Sequence, residues 1–275
     1  MKNTIATFMA AKGQRKLSMV TAYDYFSAQM VEATDINAIL VGDSLGMVML
    51  GYANTIAVTV EDMLHHCKAV ARACQKPLLV CDLPYLSYHV SVEDCVRNAG
   101  RLVQEGGAEA VKLEGGREFV PEIKKLTRAS IPVMGHLGLT PQSIHAFGGF
   151  KVQGKSVAQA QKLLDDARAI QDAGVFSVVL EGIPAGLGQK ITEELEVPTI
   201  GIGAGSGCDG QVLVWHDLLG ISSRQPKFVR CFAKLQQTMI DALNAYDQEV
   251  KNATFPEKSY SYLIENEEEI IAKLK

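Results

Sequence analysis

The chain contains several short apolar runs that each end at an ionisable residue. The run at residues 39–41 leads into Gly-Asp-Ser at residues 42–44, and the pattern recurs at residues 79–82, 111–114, 133–136 and 178–181. Because these runs lack alternating polar positions, they indicate strands that are buried on both faces, as in a parallel sheet. The ionisable residues are then expected together, at the edge of the sheet where the strands end.

Helical patterns separate the strands. Thr59 and Ser91 each begin a sequence typical of a capping box, with Asp62 and Asp94 three residues further on; they predict helices that end near residues 74 and 106. Apolar spacing predicts the other helices at residues 4–11, 23–34, 117–128, 156–173, 185–195 and 227–250. The remaining strands are predicted at residues 17–21, 199–202 and 212–214.

The order of these elements favours an α/β fold, a (βα)8 TIM barrel, in which functional residues lie at the carboxyl ends of the strands. No linker interrupts the pattern, so residues 1–254 are predicted to form one catalytic barrel domain. A doubly wound open sheet is the alternative. Residues 255–275 form a charged tail with apolar residues at helical spacing, which predicts an appended segment, helical in part, suited to packing on a neighbouring subunit.

Composition narrows the class of protein. The 275 residues are 47% hydrophobic and 21% charged, with a net charge of −4, which is ordinary for a globular protein and argues against nucleic-acid binding. Six cysteines without a Cys-x-x-Cys pair indicate reduced thiols, not a disulfide framework or a zinc site. Since no signal segment or long apolar run is apparent, we expect a cytoplasmic protein without a membrane partner.

Lys112 and Glu114 are two residues apart in a predicted strand, so their side chains share a face. If that face is the barrel interior, burying the two charges is costly unless they are paired or used in function. A structural ion pair is the alternative.

Asp43 and Asp82 could each be a turn or cap residue. Together at one barrel mouth, the two carboxylates instead favour a cation, with Mg²⁺ the best fit and Mn²⁺ or Co²⁺ also compatible.

Four further features carry candidate chemistry. His136 could be a pocket residue or a satisfied core histidine, and its spacing does not decide between them. Glu181 ends an apolar strand and is the candidate general base, with a barrel-mouth salt bridge as the alternative. Residues 138–154 form a long Gly-rich segment, which we interpret as a lid over the substrate with a hinge at Gly148 and Gly149. The Gly-rich residues 201–205 are a weak candidate for phosphate binding, and close backbone packing at the rim is the alternative.

Taken together, the motifs resemble one family, the ketopantoate hydroxymethyltransferases. The resemblance rests on Thr-Ala-Tyr-Asp at residues 21–24, Val-Gly-Asp-Ser-Leu-Gly-Met at 41–47, Asp-Leu-Pro at 82–84, Val-Lys-Leu-Glu-Gly-Gly at 111–116, Gly-His-Leu-Gly-Leu-Thr-Pro-Gln at 135–142, Phe-Gly-Gly-Phe-Lys-Val-Gln-Gly at 147–154, Gly-Ile-Gly-Ala-Gly at 201–205 and Cys-Asp-Gly-Gln-Val-Leu-Val at 208–214. These motifs span the chain to about residue 256, and the tail beyond residue 262 looks longer than is usual in the family.

The resemblance implies a barrel of the phosphoenolpyruvate/pyruvate type, commonly assembled as a homodecamer. It implies transfer of a hydroxymethyl group from the co-substrate 5,10-methylenetetrahydrofolate to 3-methyl-2-oxobutanoate, giving 2-dehydropantoate and tetrahydrofolate through a magnesium-stabilised enolate. The reaction belongs to the pantothenate route to coenzyme A.

The resemblance also implies roles for single residues. It makes Glu181 the proton acceptor and implies one Mg²⁺ per subunit, on Asp43 and Asp82, with Glu114 contributing directly or through water. Ser44 and Lys112 would contact the carboxylate of the oxo acid, and His136 would line the pocket. The implied substrate-binding set is Asp43, Ser44, Asp82, Lys112 and His136.

Two other functions compete with this one. A metal-dependent lyase acting on a phosphorylated or dicarboxylic acid would need additional Arg or Lys residues at the mouth, where Lys112 is the only one expected. A non-catalytic barrel that binds a small acid would need no base beside a metal site. Exchange of the substrate proton with solvent distinguishes the three, because it requires a base acting on the right acid.

Overall fold

Eight parallel strands close into a barrel in the computed structural model, which describes residues 1–223 and 225–274. The strands follow one another around the barrel in chain order, and the last pairs with the first, Leu17 opposite Gly210. This closed ring confirms the predicted TIM barrel and excludes the doubly wound open sheet. The strands are β1 Leu17–Thr21, β2 Ala38–Val41, β3 Leu78–Asp82, β4 Ala110–Glu114, β5 Val133–Gly138, β6 Ser177–Glu181, β7 Thr199–Ile202 and β8 Gly210–Leu213.

Helices surround the barrel, and several of them begin at a side-chain cap. The Thr59 hydroxyl accepts a hydrogen bond from Asp62 N, and the Asp62 carboxylate accepts one from Thr59 N, as the capping box predicts. Ser91 caps the next helix by accepting from Asp94 N. The helices are α1 Ile5–Met9, α2 Tyr25–Glu32, α3 Leu45–Val48, α4 Val60–Ala71, α5 Val92–Gln104, α6 Val120–Arg128, α7 Ile144–Phe147, α8 Val157–Ala173, α9 Ala185–Glu194, α10 Trp215–Leu218, α11 Leu235–Lys251 and α12 Glu267–Ala272.

The buried apolar side chains form two clusters, one between the sheet and the helices and one inside the barrel. Alternate residues of each strand belong to the inner cluster, for example Leu78 and Val80 of β3. Phe8 of α1 belongs to it too, with its ring edge-on to Phe176 at a centroid distance of 5.8 Å. Because side chains alternate along a strand, the next inward position on β3 is Asp82. The ionisable residues at the carboxyl ends of the strands therefore lie next to the apolar side chains inside the barrel.

The structure corrects several predicted boundaries. The helix predicted at residues 227–250 begins only at Leu235. The residues before it lie along the barrel mouth, where the Phe228 ring packs so closely on Gly203 that a Cβ there would be 2.8 Å away. A tertiary contact thus overrides helix propensity. β5 continues to Gly138, so His136 lies within the strand, and residues 138–154 contain the 3₁₀ turn Pro141–Ser143 and α7.

The tail contains the 3₁₀ turn Lys258–Tyr260 and α12, with no buried residue in either element. Its division from the barrel and its packing on a second subunit stay predictions. Within residues 1–223 and 225–274, none of the helices combines the length and apolar character that crossing a membrane requires.

Candidate active site

The two-residue period of the strands brings the predicted site residues to one place, the carboxyl-terminal mouth of the barrel. Asp82 ends β3, Lys112 and Glu114 end β4, and Glu181 ends β6. Asp43 and Ser44 follow β2 by two and three residues. One cavity is lined by all seven predicted residues, namely Asp43, Ser44, Asp82, Lys112, Glu114, His136 and Glu181.

Lys112 is paired with Asp82. Its Nζ lies 2.7 Å from Asp82 Oδ1, and the other oxygen of that carboxylate accepts a hydrogen bond of 3.0 Å from Asp43 N. Burial lowers the pKa of Lys112, but the charges of Asp82, Glu114 and Asp43 outweigh it and raise the pKa overall. The side chain is therefore a buried cation, and its ion pair is with Asp82 and not with Glu114, the partner two residues along its own strand.

His136 lies between two carboxylates. Its Nδ1 is 3.3 Å from Glu114 Oε1, and its Nε2 is 3.2 Å from Glu181 Oε2. Burial and the neighbouring Lys112 lower the pKa of His136, yet its contacts with the two carboxylates raise it to about 9. The imidazole thus lies between the carboxylates of Glu114 and Glu181, and Lys112 Nζ lies 3.3 Å from the same Nδ1. Glu181 thus contacts His136, and the two form an ion pair when the imidazole is protonated.

Asp43 is a buried acid that lies close to two other acidic side chains. Burial raises its pKa well above the usual range, and the charges of Asp82 and Glu114 raise it further. Its Oδ2 accepts a hydrogen bond of 2.8 Å from Gln142 Nε2. That donor is neutral, so it does not cancel the repulsion among the carboxylates. A cation bound beside Asp43 would reduce this repulsion.

Ser44 is half-buried at the first turn of α3, and its hydroxyl lies 2.9 Å from Tyr23 OH. Burial raises the pKa of Tyr23 above its usual value, so the phenol stays protonated and can donate. The Ser44 hydroxyl is then free to donate into the cavity that it lines.

The cavity has a volume of about 1200 Å³. Its floor is apolar, with Leu40, Val179 and Val212 from inside the barrel, and its rim carries Phe150 and Phe228. Typical small-molecule sites have volumes of roughly 300–1,000 Å³. This one has room for two ligands at once.

A metal would find oxygen ligands here. Within residues 1–223 and 225–274, no three acid, histidine or cysteine side chains are already gathered as a metal cluster. Glu114 contacts His136 and Gln142 N, and Asp82 contacts Lys112 Nζ and Asp43 N. Asp43 and Asp82 are neighbours through that backbone hydrogen bond, and an ionised carboxylate has about four lone-pair sites, so these contacts do not use up its acceptor capacity. One or two carboxylates, completed by water and substrate oxygens, are the usual ligands of Mg²⁺. The residues therefore fit a hard cation, and its binding stays a prediction.

Sequence reasoning missed two buried residues of the site, Gln142 and Tyr88. Gln142 contacts Asp43 and Glu114, and its side-chain oxygen accepts a hydrogen bond of 2.8 Å from Tyr88 OH. Gln142 ends the motif at residues 135–142, so the signal was present. No residue pattern, however, indicates which distant side chains a turn residue will meet.

A closed βα barrel with this charged cavity at its carboxyl-terminal mouth defines a TIM-barrel enzyme. Solved structures with the same fold include phosphonopyruvate hydrolase in complex with oxalate and Mg²⁺, with a TM-score of 0.62 and 12% identity over 98% of this chain and 94% of that one. Another is 2,3-dimethylmalate lyase, a member of the PEP mutase/isocitrate lyase superfamily, with a TM-score of 0.60 and 13% identity over 99% of both chains. These similarities show that the chain shares the barrel fold of those structures.

Sequence comparison narrows the class to one family. The family model for ketopantoate hydroxymethyltransferase matches residues 2–258. The 3-methyl-2-oxobutanoate hydroxymethyltransferase of Clostridium novyi (strain NT) is 54% identical over the full length of both chains. That of Syntrophus aciditrophicus (strain SB) is 56% identical over 93% of this chain and 94% of its own. The chain belongs to the ketopantoate hydroxymethyltransferase family and is an enzyme, a hydroxymethyltransferase.

Proposed function

We propose that this enzyme transfers the one-carbon unit of 5,10-methylenetetrahydrofolate to 3-methyl-2-oxobutanoate in pantothenate synthesis. With one water consumed, the products are 2-dehydropantoate and tetrahydrofolate. The name of the relatives that are 54% and 56% identical to this chain contains the acceptor, 3-methyl-2-oxobutanoate. The cavity of about 1200 Å³ supports a two-substrate reaction, because a five-carbon acid would leave most of it empty.

The positively charged Lys112 at the barrel mouth favours an acid as substrate. Lys112 would attract the carboxylate of the oxo acid, and the Ser44 hydroxyl would donate a hydrogen bond to it. Asp43 and Asp82 would hold Mg²⁺, with Glu114 acting through water. When bound, Mg²⁺ supplies Lewis-acid polarisation of the carboxylate and keto oxygens of the substrate.

Glu181 is the proton acceptor in this proposal. The observation that carries it is the exposure of this carboxylate: 15% of the Glu181 side chain is accessible, whereas only 4% of Lys112 and of Asp82 is. Its Oε2 would take the proton from the carbon next to the keto group. His136 Nε2, 3.2 Å away, orients the carboxylate. The electron pair left on that carbon then forms the bond to the methylene carbon of the folate. Both C–N bonds of the methylene carbon break: water replaces one nitrogen and supplies the hydroxyl, and the substrate carbon replaces the other. The two nitrogens take up one proton from water and the proton removed from the substrate.

Proton exchange without folate tests the proposal. Enzyme, Mg²⁺ and 3-methyl-2-oxobutanoate are incubated in heavy water, and NMR follows the signal of the single proton beside the keto group. We expect enzyme-dependent loss of that signal. Binding of the acid without exchange would favour a non-catalytic binder. Exchange of a dicarboxylic or phosphorylated acid in preference to this one would favour a lyase.

We also propose that the enzyme works in the cytoplasm as a homo-oligomer, a decamer by the family resemblance. In support, α11 exposes Met239, Ile240 and Leu243, and large apolar patches on a surface commonly mark interfaces. Light scattering on the purified protein measures the oligomer size directly, and a monomeric mass at micromolar concentration would contradict the proposal.

A further inference from the structure

Gln142 is a buried glutamine whose backbone N and side-chain amide are all hydrogen-bonded. It lies in the 3₁₀ turn Pro141–Ser143 and is 5% exposed. Its backbone N donates to Glu114 Oε2 at 2.9 Å, and its side-chain Nε2 donates to Asp43 Oδ2 at 2.8 Å and to Leu83 O at 3.0 Å. Its Oε1 accepts from Tyr88 OH at 2.8 Å. One residue thus contacts two of the carboxylates in the site.

Tyr88 fixes the orientation of this amide. The Tyr88 side chain is fully buried, and its hydroxyl accepts a hydrogen bond of 3.1 Å from Glu114 N. Two acceptors lie within reach of its proton, Gln142 Oε1 at 2.8 Å and Glu114 O at 3.1 Å, and the shorter contact is with Gln142. A flipped amide would place its oxygen against the Asp43 carboxylate and the Leu83 carbonyl. Three acceptors would then meet without a donor, and leaving buried polar groups unpaired is costly. The nitrogen must therefore face Asp43.

The chemical character of the Gln142 contact differs from that of the Lys112 contact. Lys112 brings a positive charge to Asp82, whereas the Gln142 amide is neutral. The amide donates a hydrogen bond to the Asp43 carboxylate and brings no charge of its own, so it can orient this group without acting as its counter-ion. In metal sites, hydrogen bonds of this kind to ligating carboxylates orient the ligands and tune the affinity for the metal.

We propose that Gln142 is a positioning residue that holds the carboxylates of Asp43 and Glu114 in place for a divalent cation. The inference rests on the proposed function, because it takes Asp43 as a ligand. Gln142 touches the metal site only through these two residues. It also connects the segment that follows β5 to the ends of β2 and β4.

The test is the affinity of the metal-free, full-length enzyme for Mn²⁺ alone, measured by electron paramagnetic resonance of the free ion. Gln142→Leu is expected to weaken binding by about 10- to 100-fold, the usual effect of losing such a partner. Gln161→Leu is the matched control. It removes a 2.9 Å hydrogen bond from a glutamine to Asp165 on the exposed face of α8, and its Mn²⁺ affinity should equal that of the wild type.

A role in metal positioning and a role in folding give different results. If Gln142 only supports the fold, Gln142→Leu lowers the melting temperature and leaves the Mn²⁺ affinity of the folded protein unchanged, which would overturn the inference. If Gln142 positions the ligands, Gln142→Leu also needs a higher Mg²⁺ concentration for half-maximal turnover. Its kcat at saturating Mg²⁺ then changes by a smaller factor than this concentration does.

Tyr88→Phe decides the question if Gln142→Leu does not fold. This variant keeps the ring and loses the donor that orients the amide, so we expect Mn²⁺ binding to weaken several-fold. Unchanged affinity in Tyr88→Phe would overturn the inference. A wild-type enzyme that binds no Mn²⁺ would overturn the proposed metal site, and the role of Gln142 with it. Wild-type binding that neither variant alters would overturn the role of Gln142 alone.

Discussion

Lys112 Nζ lies 2.7 Å from Asp82 Oδ1, and each side chain is only 4% exposed. The pair sits above the apolar interior of the barrel, where an unpaired charge is poorly solvated. Asp43 N holds the other oxygen of Asp82. Removal of either partner would therefore leave the other charge buried without a counter-ion.

Removing the cation is expected to destabilise the fold. Lys112→Met should cost about 3–5 kcal/mol in the free energy of unfolding, because it leaves the Asp82 charge buried and alone. Urea denaturation measures the change. The double variant Lys112→Met with Asp82→Asn should recover part of the loss, since no lone charge remains. The matched control is Lys251→Met, which removes an exposed 2.7 Å pair with Asp247 and should change stability far less. Equal effects of the two lysine variants would contradict the prediction.

Glu181→Gln is expected to remove the base and keep the binding site. Both the heavy-water exchange and the full reaction should slow by about 10²–10⁴-fold, the usual contribution of general-base catalysis. The dissociation constant for 3-methyl-2-oxobutanoate, measured by calorimetry, should stay near that of the wild type. Glu196→Gln, on the exposed surface, serves as the control. Near-normal turnover in Glu181→Gln would remove this residue from the role.

Chelation should abolish exchange and transfer together. After treatment with EDTA and removal of the chelator, we expect activity to return with added Mg²⁺. Mg²⁺ at about 100 times its dissociation constant should also stabilise the folded protein by about 2.7 kcal/mol. An Asp43→Asn variant should show little of this stabilisation in a thermal melt. Full activity in the chelated enzyme would contradict the proposed use of a metal.

Closure of the segment at residues 138–154 is expected when ligands bind. Gly148 and Gly149 both have positive φ angles, of 64° and 116°, while the neighbouring Phe150 lines the cavity although 52% of it is exposed. Lys151 is exposed beside it and offers a site for trypsin. Oxo acid with Mg²⁺ should slow cleavage after Lys151 and leave cleavage after the exposed Lys258 unchanged. Equal rates with and without ligands would argue against a lid.

Strand periodicity made much of the barrel and its site predictable. Lys112 and Glu114 share a face of β4, and Asp82 and Glu181 end their strands in the same way, so their convergence follows from the alternation of side chains. Gln142 was different. It lies 99 residues from Asp43 in the chain, and their contact depends on the exact turn after β5.

The segment before α11 shows a second limit of sequence reasoning. Its composition permits a helix, but Phe228 packs on Gly203 at the mouth of the barrel. The gain from this long-range packing exceeds a local preference of a few tenths of a kilocalorie per residue. Local patterns therefore predict elements well, and they do not show which side chains from distant elements will complete a cavity.

The pairing of Leu17 with Gly210 has a consequence for biosynthesis. The first strand to leave the ribosome must wait for the last before the ring can be sealed, so until then β1 and the incomplete sheet keep unpaired edges. Such long-range closure slows folding and leaves nascent chains open to aggregation. A stalled or truncated product that ends before β8 would thus be a substrate for chaperones and proteases, even though every acidic residue of the site had already been made.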